Sequence, residues 1–534
     1  MKHRQQQTRE PSQMEVQGLL NLYHAGQLPQ AEMTAKAMLK SWPNALIIYN
    51  VLGMALEGQR KFEEAASCYR KALALSPRIA ELHFNLGVAL SNLGRYDDAI
   101  ASYKRAAALK PDLAVVHFNL GTALQERGRL DEAAASLRKA LTLEPGFFEA
   151  HGNLGTVLQK QGMLEEAEAS YRRALAIHAD ARSHFNLATA LRDQGRLDEA
   201  ITSYRQALAM QPDYVEAHNN LGEALRDQGS MEEAVACFRA ALAIAPDNAL
   251  TNFNWAQFLF DAGKLDEAIP FFEKSQLYDW RERVLYCLYK TEKFDAFRAQ
   301  LQSLLQGRHN LPFLATLSTH YATNFGEPDP YNFCPDGMEF VYRNSIPELA
   351  GENSALLQEL LRDIEHAEIA ERKQGRLHNG IQSAGNLFKR PEESFRKLAQ
   401  LVRDEAAKYC RKFSGAQCEL IKSFPGNVEF SSSWYVKMRQ GGHLDGHIHE
   451  EGWISGAVYL QMPKQADGDA GSFAYGTHGD DYPRKHDNFP ESFILPDVGD
   501  IVLFPSSLFH RTIPFKSDEE RICIAFDIKP VQTP

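Results

Sequence analysis

The chain has 534 residues, an apolar content of 44% and a formal net charge of −11 at pH 7. This length predicts two or more domains, each with a core of its own. The acidic balance argues against nucleic acid or an anionic membrane as a partner. The polar N-terminus lacks an apolar signal core and no later run is long enough to span a bilayer, so we expect a cytoplasmic protein.

The first half of the chain is one unit copied several times. The 34-residue segment from Ile79 to Asp112 recurs four times downstream, once with one residue missing, and weaker copies extend it in both directions. Each copy has apolar residues at the spacing of two amphipathic helices and a Pro near its end. Because one helix pair buries only part of its apolar surface, the pairs must stack into a solenoid with an extended concave face.

Fixed positions within the copies carry small residues. A glycine stands at Gly87, and again in later copies, where the two helices of a pair must approach closely. The 34-residue period with Leu-Gly, Gly-Arg-x-Asp/Glu-Glu-Ala, Tyr, Ala-Leu and Pro at fixed places resembles the tetratricopeptide repeat family over roughly residues 13 to 280. The resemblance implies a helical solenoid that binds a protein or peptide.

An asparagine precedes the Leu-Gly position in six successive units, although Asn is a mediocre helix former. Duplication of the unit, or a hydrogen bond repeated within the solenoid, explains the pattern without any role in binding. The other interpretation is a ladder of amides that grips an extended peptide backbone. It is similar to the asparagine ladder of O-linked N-acetylglucosamine transferases, which implies peptide binding. The six residues are Asn85, Asn119, Asn153, Asn186, Asn220 and Asn254.

The repeat period fails from about residue 306. Residues 309–343 are dense in Pro, Gly, Asn and aromatic side chains, which predicts an ordered, loop-rich connector. Two helices are predicted beyond it, around residues 354–370 and 391–413, because apolar residues recur there at helical spacing.

After Cys418 the apolar period changes to two. Short runs bounded by Gly, Pro and Asp are typical of a small all-β sandwich or barrel. The predicted strands are Val428 to Met438, Trp453 to Met462, Gly471 to Tyr475, Phe493 to Pro496, Asp500 to Phe504 and Arg521 to Ile528.

Three histidines in this strand-rich part predict a metal site. His447 and His449 stand two apart on an extended segment, so their side chains point to the same side, and His510 follows another strand. Arg521 shares a strand face with the small residue Cys523, which predicts a cation that points into an open cavity. A planar guanidinium there suits a carboxylate ligand.

These residues stand in an order that resembles the iron(II)- and 2-oxoglutarate-dependent oxygenases of the double-stranded β-helix (jelly-roll) fold. The resemblance covers roughly residues 375 to 530. A subgroup reading His-x-His-Pro-x-x-x-x-Ser-Gly-x-x-Tyr-Leu is the most similar, and residues 382–388 upstream also match it. The matching positions are Gly442, His447, His449, Ser455-Gly456, Tyr459-Leu460, Gly499-Asp500, Phe504-Pro505, His510 and Arg521.

The resemblance implies iron(II) and 2-oxoglutarate as cofactors. His447, His449 and His510 would hold the metal, and Arg521 would pair with the far carboxylate of 2-oxoglutarate. Tyr435 and Ser455 are weaker candidates for contacts with the cosubstrate, and no catalytic residue is predicted beyond these. The implied reaction couples oxidative decarboxylation of 2-oxoglutarate to hydroxylation of a substrate.

One position departs from the family pattern, since His449 occupies the place where the common metal site has Asp or Glu. Three ligand sets remain open: the three histidines, a set with Glu450 or Glu451 as the carboxylate, and a frame-shifted pair of His443 and Asp445. We prefer the three histidines, because the spacings from Gly442 and to Tyr459 match the family.

The sequence thus predicts an α+β multidomain protein with an all-α tetratricopeptide solenoid, followed by a jelly-roll domain with flanking helices. The predicted domains are residues 13–305, a connector with a helix at 306–374, and the oxygenase-like domain at 375–534. The alternative function is a non-catalytic protein-interaction scaffold with a degenerate jelly roll. Glycosyl transfer is disfavoured, because the C-terminal half shows neither βα alternation nor a Gly-rich nucleotide loop.

Overall fold

A computed structural model gives the fold. Contacts between residues divide the chain into two compact units, one ending at Asn254 and the other beginning at Trp255. No helix of the described residues is both long enough and apolar enough to cross a membrane. The structure describes residues 10–307, 310–351, 354–366, 369, 371–372, 375–424, 428–450, 452–463 and 469–531.

Paired helices build the first unit, as the 34-residue period predicts. The second helix of each pair begins with acidic residues, which suits the positive end of the helix dipole. The helices are α1 (Gln13–His24), α2 (Leu28–Ser41), α3 (Leu46–Gly58), α4 (Phe62–Leu75), α5 (Ala80–Asn92), α6 (Tyr96–Leu109), α7 (Ala114–Glu126), α8 (Leu130–Leu143), α9 (Phe148–Lys160), α10 (Leu164–Ile177), α11 (Ala181–Asp193), α12 (Leu197–Met210), α13 (Val215–Gln228), α14 (Met231–Ile244) and α15 (Ala249–Asp261).

The repeated glycine lies at the closest approach of the two helices in a pair. A Cβ added at Gly87 would lie 2.5 Å from the ring of Tyr103, and one added at Gly155 would lie 2.6 Å from the ring of Tyr171. Side chains of the second helix therefore fill the space that the missing Cβ leaves. The predicted close approach is confirmed.

Seven helices belong to the second unit after α15. The segment predicted as a loop-rich connector contains a buried 14-residue helix, which corrects that expectation. These helices are α16 (Leu265–Ser275), α17 (Trp280–Lys290), α18 (Phe294–Leu304), α19 (Pro312–Phe325), α20 (Ala355–His366), α21 (Glu393–Lys412) and the single turn α22 (Glu419–Lys422).

Two antiparallel sheets form the strand-rich part. The larger sheet has the order β1-β8-β5-β10-β4-β3-β2, and the smaller sheet has the order β7-β6-β9. The strands are β1 (Tyr342–Ser345), β2 (Glu371–Arg372), β3 (Leu377–Ser383), β4 (Val428–Leu444), β5 (Ile454–Gln461), β6 (Phe473–Gly476), β7 (Glu491–Ile494), β8 (Asp500–Pro505), β9 (Phe509–Thr512) and β10 (Arg521–Pro530). The α+β fold class is confirmed.

Three strand assignments differ from the sequence prediction in ways that matter for the metal site. The strand expected to end at Met438 continues to Leu444, and β3 pairs with it, placing His378 opposite His443. His510 does not merely follow a strand but lies within β9, where it pairs with Tyr475 of β6.

The two sheets share a core. Val436 of β4 and Val502 of β8 belong to the larger sheet and cluster with Phe473 of the smaller one, so the sheets pack face to face. Strand β10 runs through the centre of the larger sheet, between β5 and β4. Its alternate residues Ile522 and Ile524 are buried, as the predicted period of two requires.

Helices of the second unit support the loops around the histidines. The Thr316 hydroxyl of α19 donates to the backbone carbonyl of Ser507 at 2.8 Å, three residues before His510. The Lys290 ammonium of α17 donates to the carbonyl of Asp480 at 2.9 Å. The helices therefore fix two segments of the strand-rich part in place.

Candidate metal centre

His447, His449 and His510 come together and form what we call the histidine triad. His447 and His449 lie in the extended segment between β4 and β5, whereas His510 comes from β9. A two-way backbone bridge joins His447 to His510, with N–H···O distances of 3.1 and 3.0 Å. One ligand atom from each ring lies within 4.8 Å of the others, and His447 and His510 are buried.

The hydrogen bonds of the triad fix the tautomer of each ring. Every Nδ1 lies against an oxygen that accepts: a carbonyl for His447 and His510, a carboxylate for His449. Each Nδ1 must therefore carry the hydrogen in the neutral ring, which leaves each Nε2 with a free lone pair. Nδ1 of His447 lies 2.8 Å from the carbonyl oxygen of Asp445, and Nδ1 of His449 lies 2.5 Å from Asp527 Oδ1. Nδ1 of His510 lies 3.2 Å from the carbonyl oxygen of Leu508.

The free nitrogens converge. Nε2 of His447 lies 3.3 Å from Nε2 of His449, close to the roughly 3 Å that separates two nitrogens bound to one ion. The ring planes are inclined to one another by 36° to 74°, so their in-plane lone pairs can meet at one point. Three lone pairs aimed at one small space are an arrangement suited to a cation.

Burial keeps two rings of the triad uncharged. It lowers the pKa of His447 to about 3, with a further contribution from the nearby charge of His449. Burial and the neighbouring imidazoles also lower the pKa of His510 well below its ordinary value. Neutral imidazole is the form that binds a metal, so these two ligands are ready near neutral pH.

Asp527 stands behind His449 on strand β10. Burial tends to raise the pKa of its carboxyl, but His449 and the hydroxyls of Ser455 and Ser432 hold it below the ordinary value. Ser455 donates to Oδ1 and Ser432 donates to Oδ2, each at 2.7 Å. The carboxylate therefore stays ionised beside the triad.

A cavity of about 620 Å³ opens beside the triad. All three histidines line it together with Arg521, which is 2% exposed. The guanidinium Nη1 lies 3.8 and 3.7 Å from the sulfur atoms of Met438 and Cys523, and among the described residues its Nε has no hydrogen-bond partner. Within the described part of the chain, no carboxylate forms an ion pair with Arg521.

The residues present fit iron(II) and 2-oxoglutarate. A buried guanidinium without a counter-ion is costly, and a carboxylate ligand in the cavity would offset its charge with two parallel hydrogen bonds. Three imidazole donors suit a divalent transition metal, though the set has no carboxylate among its ligand atoms. Phe473 and Phe504 add apolar wall to the same cavity.

The alternative ligands lie elsewhere. The Glu450 carboxylate pairs with Arg283 of α17 at 3.2 Å and does not join the triad, and Glu451 lies outside the described residues. His443 and Asp445 form a separate cluster with His378 of β3. We call these three residues, His378, His443 and Asp445, the stacked pair.

The stacked pair has a different geometry. The rings of His378 and His443 are nearly parallel, with 12° between their planes and centroids 4.4 Å apart. Since a nitrogen lone pair lies in the plane of its ring, two stacked parallel rings cannot both aim at one ion. Nε2 of His378 instead bonds the Asp445 carboxylate at 2.8 Å.

The weaker cosubstrate candidates do not line the cavity. Tyr435 lies on β4 between two cavity-lining residues, Trp434 and Val436, and so faces the other side of the strand. Ser455 binds Asp527 behind His449. The sequence analysis named Tyr459 only as a position matching the family, but its ring lies 5.1 Å from the Arg521 guanidinium, and its buried hydroxyl has no hydrogen-bond partner among the described residues.

The role of Asp527 was also missed, although a signal existed. The period of two in β10 puts residues 521, 523, 525 and 527 on one face, and the first three of them line the cavity. An acidic residue on such a face, six positions from Arg521, is a candidate partner for a histidine of the same site.

The six asparagines lie half-buried on the first helices of successive units. Asn85 donates to the amide oxygen of Asn50 in the preceding unit at 3.3 Å, and Asn153 donates to the hydroxyl of Thr122 at 3.0 Å. Asn119 donates to a carbonyl of its own helix. Amides of neighbouring units are thus adjacent, and part of their hydrogen-bonding capacity is used inside the solenoid.

Two family models match the chain. Residues 432–527 match the model described as "Putative 2OG-Fe(II) oxygenase". Residues 13–252 match the model of the "Cilia and flagella-associated protein 70 C-terminal domain". No curated protein matches the chain.

Several solved structures are similar to part of the chain. The APC/C hetero-tetramer Cut9–Hcn1 is 18% identical with a TM-score of 0.38, over 47% of this chain and 49% of that one, so the chain spans about half of its length. YrrB, titled a TPR protein with an unusual peptide-binding site, is 25% identical with a TM-score of 0.31, over 35% and 96%. PilF of Pseudomonas aeruginosa is 22% identical with a TM-score of 0.36, over 39% and 96%.

Together the matches and the paired helices show that the chain combines tetratricopeptide-type repeats with a region, residues 432–527, that matches the 2OG-Fe(II) oxygenase family model.

Proposed function

We propose that the strand-rich domain is an iron(II)- and 2-oxoglutarate-dependent oxygenase that hydroxylates a substrate. The observation that carries the proposal is the commitment of all three Nδ1 hydrogens of the triad to oxygen acceptors, which leaves three converging Nε2 lone pairs. The unpaired guanidinium of Arg521 in the same cavity supports an anionic cosubstrate.

Each residue has a defined part in this proposal. The triad would hold the ion, and Arg521 would bind the far carboxylate of 2-oxoglutarate. The aromatic wall of Phe473 and Phe504 would keep water from the reacting groups. When bound, iron(II) supplies the oxygen chemistry that couples decarboxylation of 2-oxoglutarate to hydroxylation.

Anaerobic titration with iron(II) and 2-oxoglutarate tests the proposal. We expect the charge-transfer band of a metal-bound 2-oxo acid, followed by succinate once air is admitted. The double variant His447→Ala/His510→Ala should show neither. A wild-type protein without the band, and with no more bound metal than the double variant, would refute the enzyme.

Arg521→Ala separates the cosubstrate from the metal. Because the guanidinium is buried and would face a carboxylate, its loss should weaken 2-oxoglutarate binding by about 30-fold or more. Metal affinity should stay within about twofold. Equal binding of 2-oxoglutarate by wild type and variant would exclude Arg521 from the cosubstrate site.

A second candidate function is a binding scaffold whose jelly roll does not turn over. The observation that favours it is His449 in the place of the usual ligand carboxylate. A scaffold would gain no thermal stability from 2-oxoglutarate in the presence of a divalent metal, whereas a protein that binds the cosubstrate is stabilised in proportion to its occupancy.

For the repeats, we infer that the asparagine ladder binds the backbone of a protein or peptide, either as substrate or as partner. The adjacency of Asn85 and Asn50 across two units supports a continuous row of amides. Replacing Asn119, Asn153 and Asn186 by Ala should weaken binding of a captured protein partner and leave 2-oxoglutarate binding intact. Unchanged partner affinity would favour the repeated internal hydrogen bond instead.

The domain limits that fit this division of labour are residues 13–305 for the solenoid, 306–374 for the connector and 375–534 for the oxygenase-like domain. Limited proteolysis followed by mass spectrometry of the fragments would test them, since cleavage concentrates in exposed loops between domains.

A further inference from the structure

We propose that Asp527 is a positioning residue of the metal centre: it orients His449 and supplies, one imidazole away from the ion, the negative charge that a ligand carboxylate usually supplies. The inference rests on the metal site proposed above. It explains how a site with three neutral donors keeps an anionic group beside the cation, although His449 occupies the carboxylate position.

The contact between the two side chains is direct. Asp527 Oδ1 lies 2.5 Å from His449 Nδ1, which leaves Nε2 of the same ring facing His447 Nε2. Among the described residues, Asp527 forms no ion pair with a Lys or Arg side chain, and His449 is its nearest titratable partner. A carboxylate bound to the far nitrogen of a ligating histidine fixes the ring orientation and raises its basicity as a ligand.

Serine hydroxyls on the two neighbouring strands surround the Asp527 carboxylate, and we call this arrangement of Asp527, Ser432 and Ser455 the cradle. Asp527 of β10 lies opposite Ser432 of β4 and Ser455 of β5, so the three polar side chains form a row across three adjacent strands. Both serine hydroxyls donate to it, and Ser455 also lies 2.8 Å from the Ser506 hydroxyl. Both carboxylate oxygens therefore have donors.

Gly452 closes the cradle. A Cβ at this position would lie 2.7 Å from the Ser506 hydroxyl and 3.0 Å from Asp527. The backbone at Gly452 thus passes close to Ser506 and Asp527, and a side chain at this position would collide with them.

The free-energy cost of burying an ionised carboxylate favours a role for Asp527 beside a cation. Asp527 is 7% exposed, and an ionised carboxylate at such a position is costly unless it is paired. The His449 ring and the hydroxyls of Ser432 and Ser455 satisfy its hydrogen bonds. A divalent ion on the other side of His449 would offset that charge through the ring.

Asp527→Asn removes the charge and keeps the size of the side chain. The affinity for Mn(II), measured anaerobically by equilibrium dialysis, should fall by about 10- to 100-fold, the usual effect of losing such a partner. Asp500→Asn is the matched control, because Asp500 is also a buried aspartate of the same sheet but pairs with Arg343. That control should bind Mn(II) within about twofold of wild type.

A double-mutant cycle tests whether Asp527 acts through His449. In a His449→Ala background, Asp527→Asn should have no further effect on Mn(II) affinity. The Co(II) absorption spectrum should shift in Asp527→Asn, since the histidine donor is weakened, and should stay unchanged in the control. Independent, additive losses, or an Asp527→Asn variant with wild-type affinity and spectrum, would overturn the proposal.

Two further variants keep the result interpretable. If Asp527→Asn fails to fold, Ser432→Ala removes one hydrogen bond to the carboxylate and should weaken Mn(II) binding by about fivefold; wild-type affinity in it would then count against the proposal. If His447→Ala/His510→Ala also binds Mn(II) like wild type, the metal site itself fails. If Asp527→Asn binds Mn(II) like wild type and His447→Ala/His510→Ala does not, the metal site stands and only the positioning role of Asp527 fails.

Discussion

The histidine triad and the stacked pair contain similar donors but differ in how the backbone aims them. In the triad the ring planes are steeply inclined and two of the rings are buried. In the stacked pair the rings are parallel, and His378 and Asp445 are exposed. A count of ligating residues therefore does not distinguish the two clusters, whereas the orientation and burial of their rings do.

The second difference lies in which nitrogen each cluster leaves free. In the triad every Nδ1 is occupied by an accepting oxygen, so each Nε2 is left for a ligand. In the stacked pair, Nε2 of His378 is already bonded to the Asp445 carboxylate. The stacked pair thus uses this nitrogen in a hydrogen bond within the cluster, whereas the Nε2 atoms of the triad remain available to a ligand.

The largest expected effect comes from removing one histidine of the triad, and the matched change removes one histidine of the stacked pair. His510→Ala should weaken binding of Mn(II) by at least about 100-fold, since a single ligand contributes about 3 kcal/mol or more to a tightly bound ion. His443→Ala, the matched change in the stacked pair, should leave the affinity within about twofold. Equilibrium dialysis of both variants in parallel measures the difference.

Equal losses in His510→Ala and His443→Ala would break the comparison, because ring orientation would then have no influence on which cluster binds the ion. Circular dichroism of both variants must match wild type, so that unfolding of the β9 region is not mistaken for a missing ligand.

The stacked pair also shows how far sequence could go. The literal His-x-Asp spacing of His443 and Asp445 made them reasonable alternative ligands. Their real neighbour, His378, lies 65 residues earlier on β3 and meets His443 only through the register of β3 and β4. Local spacing predicts which side chains share a strand face, but strand pairing decides which faces meet.

The fold was predictable where the residue pattern is periodic. The 34-residue repeat gave the helix pairs of the first unit, and the period of two gave the central strand β10. Helix α19 was missed because it is buried on nearly all sides and polar residues such as Thr316, Ser318 and His320 interrupt its apolar ones. It therefore shows no amphipathic period, and the Pro- and Gly-rich segment after it suggested a loop.

The pH dependence of stability provides the next test of the difference between the triad and the stacked pair. Burial lowers the pKa of His447 to about 3 and that of His510 well below its ordinary value, whereas histidine in the unfolded chain titrates near 6.5. As the pH falls below about 6.5, the unfolded chain takes up protons at His447 and His510 that the native protein does not take up there. The free energy of unfolding of the metal-free protein should then drop by up to about 1.4 kcal/mol per pH unit for each of these rings.

Thermal melts between pH 7.5 and 5.5 measure this effect. His447→Gln/His510→Gln should show a flatter decline of the melting temperature than wild type, and His443→Gln provides a matched change at a histidine outside the triad. A double variant that declines as steeply as wild type would show that the triad does not exclude protons.

The smallest effect is expected from Asp445→Ala. The change removes the ion pair with His378, whose partners are about half exposed, so it should cost no more than about 1 kcal/mol of stability. It should leave Mn(II) affinity within about twofold, because only the backbone carbonyl of Asp445 contacts the triad, through His447 Nδ1, and that carbonyl survives the substitution. Asp445→Pro is unsuitable as a comparison, since it would remove the N–H that bonds Arg376 O. A loss of Mn(II) affinity of about tenfold or more in Asp445→Ala would mean that the carboxylate, rather than the carbonyl, serves the ion, and the frame-shifted ligand set would replace the triad.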